Sequence, residues 1–193
     1  MSNLKNTSDE ILTSAQTLIM TGGYNGFSYA DIASVVGIRK ASIHHHFPTK
    51  ADLVRVLVAR YRRDAEKGME AIARDIPHPA ELLQAYVGYW TQCIGENSRP
   101  FCVCALLAGE APTLPPEVTV EVRAYFRFLS AWLAGTLQRG VTEGVFTLTN
   151  SPEEEAEALM ATVHGAMLSA RAYGDPKIFG VILTPLLRRL KTF

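Results

Sequence analysis

Helical periodicity runs through almost all of this 193-residue chain, and strand-type alternation is nearly absent. Glycine and proline cut that periodicity into separate runs, so the chain must fold as discrete helices. Thr7-Ser8-Asp9-Glu10 has the T-x-x-E form of a capping box and is expected to open a first helix. Ile11, Leu12, Ala15, Leu18 and Ile19 share one face of it, and Gly22-Gly23 ends it. Ser28 stands three residues before Asp31 as a second start, and the short stripe Ile32, Ala33, Val36 stops at Gly37. A third helix turns Ile43 and Phe47 inward and closes at Pro48. Thr49, with Asp52 three positions on, caps a fourth that buries Leu53, Val54, Leu57, Val58 and Tyr61 and continues toward Asp75. Later runs cover Glu81 to Glu96, Phe101 to Gly109, Pro116 to about Gly144, Ser151 to about Tyr173, and a last one from Asp175-Pro176. The chain reads as all-α, with about nine helices.

Hydrophobic residues at 48% and charged residues at 20% supply a real core and exclude a disordered tail, a collagen-like repeat and a disulfide-stapled miniprotein. Three cysteines, Cys93, Cys102 and Cys104, make no disulfide framework. No run approaches the ~18 apolar residues of a membrane span. The polar, mixed-charge stretch Met1 to Glu10 is no signal peptide, so a cytoplasmic protein without a membrane partner is expected. Nineteen Lys+Arg balance nineteen Asp+Glu. That balance hides a bias, because residues 24–63 hold seven Lys+Arg against two Asp+Glu.

The basic stretch contains two short helices separated by the tight turn Gly37-Ile38, the pattern of a helix-turn-helix whose second helix enters the DNA major groove. With Ile38, Ile43 and Phe47 facing inward, Lys40, Ala41, Ser42, His44 and His45 remain for DNA. The run Gly37-Ile38-Arg39-Lys40-Ala41-Ser42-Ile43-His44-His45-His46-Phe47-Pro48-Thr49-Lys50 resembles the signature of the tetracycline-repressor (TetR) family of transcription regulators. That signature reads Gly-Val-Ser-Lys-Gly-Thr-Leu-Tyr-x-His-Phe-x-Ser-Lys. Arg39 departs from it where a Ser cap is common, and His44 where a Tyr commonly meets a phosphate.

The resemblance implies a DNA-binding domain over 1–48 and a larger ligand-binding and dimerisation domain over 49–193. It also implies phosphate contacts from Ser28, Ser42, His44 and Lys50. Arg39, Lys40 and His45 are expected at base edges, where Arg or Lys donates to guanine O6 and N7. Tyr29, Ala41 and His46 complete the expected DNA-binding set. The histidine triplet does not suggest a metal, because adjacent helical residues point about 100° apart while helical ligand pairs sit three or four positions apart. No cofactor is expected. Partial protonation of these histidines at lower pH would favour phosphates.

The C-terminal half collects aromatic residues that suit either a small-molecule cavity or an ordinary core. Tyr86, Trp90, Cys93, Phe101, Cys102, Phe126 and His164 are the expected pocket residues for an unknown effector. Arg99, Arg123 and Arg127 are the few nearby cations. Phe101 to Glu110 resembles a TetR subgroup in which a cysteine eight residues before a glutamate can sense electrophiles; for Cys102 a buried structural role is the favoured reading. A homodimer is expected through Leu159, Val163, Ala166, Met167 and Ala170 on one helix, and through Ile178, Val181, Ile182, Pro185, Leu186 and Leu190 on the next.

The function expected is a ligand-responsive repressor that binds a palindromic double-stranded operator through residues 39–47. The competing reading is a small-molecule-binding helical protein or adaptor without DNA binding. An enzyme is disfavoured, since no Gly-rich phosphate loop, metal spacing or nucleophile elbow is present.

Overall fold

The computed structural model describes residues 2–96 and 101–190, with side chains from residue 7 onward. Among the described residues the regular structure is helical: α1 (Ser2–Gly22), α2 (Tyr29–Val36), α3 (Lys40–His46), α4 (Lys50–Asp75), α5 (Pro79–Gly95), α6 (Val103–Gly109), α7 (Pro116–Thr142), α8 (Pro152–Tyr173) and α9 (Lys177–Leu190). A 3-10 turn, Ala111–Thr113, lies between α6 and α7. No helix among them is long and apolar enough to cross a membrane.

Most helix boundaries follow local chemistry. The Asp52 N–H donates to the Thr49 hydroxyl at 3.0 Å, and that hydroxyl donates to the Asp52 carboxylate at 2.7 Å, closing a reciprocal cap on α4. Ser151 and Glu154 make the same box on α8, with Pro152 in its first turn and Gly174 (φ 63°) at its end. The first helix departs from expectation. α1 begins at Ser2, so Thr7–Glu10 lies inside it and does not cap it. Residues 2–6 contain neither glycine nor proline, and nothing before Thr7 stops the helix from extending.

The chain divides into two compact units, residues 1–63 with 102–125, and residues 64–101 with 126–193. Compactness therefore does not divide the chain at residue 48. In the first unit, Ile11, Ile19, Ile32, Ile43, Leu53 and Leu57 are fully buried, one or two from each of α1 to α4. α1 packs on both α2 and α6, and α2 packs on α3. In the second unit, α9 packs on α8 and α5. Leu129, Leu133 and Leu137 line one face of α7 at four-residue spacing and are fully buried.

The α8 stripe expected to dimerise is already covered. Leu159, Val163, Ala166, Met167 and Ala170 are all buried within the single chain. The outer face of α8 carries Ala161, Gly165, Leu168 and Ala172, all exposed. On α9, Val181 and Pro185 are exposed and Ile178, Ile182 and Leu186 half-buried, while Leu190 is buried.

Candidate nucleic-acid interface

Ser28 shapes the start of α2. Its hydroxyl donates to the Asp31 carboxylate at 2.8 Å and accepts from the Ala30 N–H at 3.2 Å, while its own N–H donates to Asp31 at 2.7 Å. These bonds from Ser28 hold the Asp31 carboxyl below its usual pKa. Ser28 is exposed, but its one hydroxyl proton is committed to Asp31, so a phosphate contact requires exchanging that bond.

Gly37 makes the turn. It takes the left-handed conformation (φ 74°), and the N–H groups of Gly37 and Ile38 both donate to the Ala33 carbonyl, at 3.0 and 3.1 Å. The chain then enters α3 through Arg39, whose extended backbone caps the helix without a side-chain hydrogen bond. The departure from a Ser cap thus leaves α3 without that bond and puts an exposed guanidinium at its start.

Ile43 and Phe47 are buried and dock α3, leaving Arg39, Lys40, Ala41, His44 and His45 exposed and Ser42 and His46 half-buried. Two contacts lock that orientation. The Tyr29 hydroxyl donates to the Phe47 carbonyl at 2.9 Å, and the Tyr29 ring lies 4.7 Å from the His44 ring. Burial, and secondarily the Asp52 charge, push the Tyr29 pKa up to about 12. Tyr29 therefore supports the reading helix from beneath instead of standing on the exposed face. Nδ1 of His44 is 3.2 Å from the Pro48 carbonyl, which aims the ring's other nitrogen outward.

Lys50 is turned inward. Its ammonium donates to the Phe27 carbonyl and lies 4.1 Å from the centre of the Phe27 ring and 4.8 Å from that of Tyr24. The Tyr24 N–H in turn donates to both Glu110 oxygens, at 3.0 and 3.1 Å. Glu110 has no local sequence signal for this contact, since it stands 86 positions away from Tyr24.

The expected pocket residues are divided between the two units. Cys102 lies in the first unit, fully buried, whereas Tyr86, Trp90, Cys93, Phe101, Phe126 and His164 lie in the second. Sγ of Cys102 is 3.5 Å from the Tyr125 hydroxyl and 3.7 Å from that of Tyr61. Burial pushes the neighbouring Cys104 thiol up, and both sulfurs lack the exposure that reactivity requires. In the second unit, Phe126 pairs with His164 at 5.2 Å and Tyr86 with Trp132 at 5.7 Å. Nε2 of His164 is buried without a hydrogen-bond partner among the described residues. Trp90 and Cys93 are buried, and the Arg171 guanidinium lies 5.8 Å from the Phe101 ring. Arg99 lies outside the described residues.

Residues 11–57 match the family described as bacterial regulatory proteins, tetR family, and residues 79–184 match the tetracyclin repressor-like C-terminal domain. The chain is similar to the crystal structure of a TetR-family transcriptional regulator from Agrobacterium tumefaciens. They share 56% identity at a TM-score of 0.96, over 98% of this chain and 100% of that one. A TetR transcriptional regulator from Legionella pneumophila is 26% identical with a TM-score of 0.85, over 94% and 96% of the two chains. The HTH-type transcriptional repressor KstR2 of Rhodococcus jostii is 28% identical over 143 residues, which are 71% of this chain and 66% of that protein. Two matched regions and the α2–α3 geometry agree: the chain belongs to the TetR family of ligand-responsive, DNA-binding transcriptional regulators.

Proposed function

We propose that the protein acts in the cytoplasm as a homodimeric repressor, presenting two copies of α3 to the two halves of a palindromic operator. It works by binding and not by catalysis. The observation that carries this reading is the exposed Arg39-Lys40 pair opening α3 while Ile43 and Phe47 anchor the helix from behind. Arg39, Lys40 and His45 reach base edges; Ser42, His44 and His46 meet the backbone, and Ala41 lets the groove wall approach.

The dimer forms through the outer faces of α8 and α9. A Cβ built on Gly165 meets nothing within 4 Å, so nothing in the chain itself requires a small residue there. A close helix crossing with a second copy would require one. Exposed Leu168 and Val181 lie on these same faces. In such a dimer the two α3 helices fall on half-sites about 34 Å or a multiple apart.

The effector binds in the second unit, with the buried Nε2 of His164 as its polar anchor beside Phe126. Effector binding releases DNA to the extent that it favours one conformation over the other. Anisotropy on duplex DNA over a salt series tests the interface. Lys40→Ala should weaken binding by about 1–3 kcal/mol and relax the sequence preference at the base it reads. Native affinity and native sequence preference in Lys40→Ala would remove Lys40 from the interface.

A further inference from the structure

The turn that leads into α2 is gripped at both ends by opposite charges. At its start, the Tyr24 N–H donates to both Glu110 oxygens at 3.0 and 3.1 Å. The approach is close enough that a Cβ built on Gly23 would fall 2.0 Å from Glu110 Oε1, and Gly23 already needs a positive φ of 73°. At its end, the Lys50 ammonium donates to the Phe27 carbonyl and rests against the Tyr24 and Phe27 rings. Ser28, the cap of α2, is the next residue. Glu110 and Lys50 also act on each other. Burial lowers the Lys50 pKa, and the charges of Glu110 and Asp31 oppose that shift.

We propose that Glu110 and Lys50 are positioning residues for DNA binding: a carboxylate and an ammonium that clasp the Tyr24–Phe27 turn and so set where α2 and α3 meet the duplex. Lys50 then acts from inside the head. Reaching an outside phosphate would cost it a charged hydrogen bond and two ring contacts in a partly buried site, in exchange for one salt-screened contact. Glu110 never touches DNA. The inference rests on DNA being read through α2 and α3.

The test uses the full chain and a duplex that the native protein selects from a randomised library. Affinities of Glu110→Gln, Lys50→Met, Lys50→Arg and Lys40→Ala are measured across a salt series. Glu110→Gln and Lys50→Met should each weaken binding about tenfold. Both should keep the native salt slope, because neither removes a phosphate contact. Lys50→Arg should retain most affinity, since a guanidinium can still donate to Phe27 and lie on the rings. The double variant Glu110→Gln/Lys50→Met should lose less than the two single losses combined.

A salt slope lowered by about 1 in Lys50→Met would make Lys50 a phosphate contact and overturn the clasp. Native affinity in Glu110→Gln would overturn it as well. Native affinity in Lys40→Ala would instead sink the interface reading beneath it. Hydrogen exchange supplies a readout that needs no DNA: Glu110→Gln should speed exchange at the Tyr24 amide well beyond that at Ile43. Equal protection at Tyr24 in variant and native protein would overturn the clasp even if the variant melts early.

Discussion

Tyr29 and His44 are near neighbours in the folded head, yet they do different work. His44 is exposed and bonded through Nδ1 to the Pro48 carbonyl, while Tyr29 is buried and spends its hydroxyl on the Phe47 carbonyl. Tyr29→Phe should cost about 1 kcal/mol in denaturant unfolding, the usual worth of one such bond. Its pH signature has a defined sign. The folded pKa, about 12, lies above the ordinary tyrosine value of 10.0, so the contribution is intact below pH 10 and is lost as pH rises toward 12. Unfolding curves across that window should show the loss in the native protein and a smaller one in Tyr29→Phe. Equal losses would assign the alkaline sensitivity to other groups. The helix periodicity of 28–47 reveals which residues stand near the reading face. Whether a given hydroxyl or ammonium points to solvent or back into the head depends on acceptors such as the Phe47 and Phe27 carbonyls, which periodicity does not locate.

Among the elements, the α2–turn–α3 unit is the most legible, because each of its determinants is local. The Ser28–Asp31 box, the left-handed Gly37 and the four-residue spacing of Ile43 and Phe47 all lie within 20 residues. Gly37→Ala should cost roughly 1–2 kcal/mol, since an L-residue resists the left-handed region, although a Cβ there would meet nothing within 4 Å. Thermal unfolding measures this, and a melting temperature unchanged from native would show that the turn relaxes without strain. α1 was less legible. Thr7–Glu10 has the form of a capping box, but the motif needs an extended residue at its head, and here the helix has already formed by Thr7. A motif defined by side-chain spacing does not report whether the backbone before it is helical.

For the whole molecule, the formal charge of zero did not exclude DNA, because the excess of cations is concentrated in residues 24–63. The proposed dimer is tested at this scale. Val181→Glu together with Leu168→Glu should yield a monomer in sedimentation velocity with unchanged helical content, and operator affinity should fall as the second head is lost. A variant that still sediments as a dimer would place the interface elsewhere. The sequence alone determined the helices, their main start and stop signals, and the face of each that is apolar, since these follow from spacing and from residues within one turn of each other. Only the tertiary structure decided what covers each face. The Leu159–Ala170 stripe of α8 reads the same whether its own chain or a second copy buries it, and here its own chain does. Glu110 holds the turn at Tyr24 from 86 positions away, and Cys102 is buried beside the Tyr61 and Tyr125 hydroxyls, 41 and 23 positions away. Such pairings are set by how helices pack, and no local pattern encodes them.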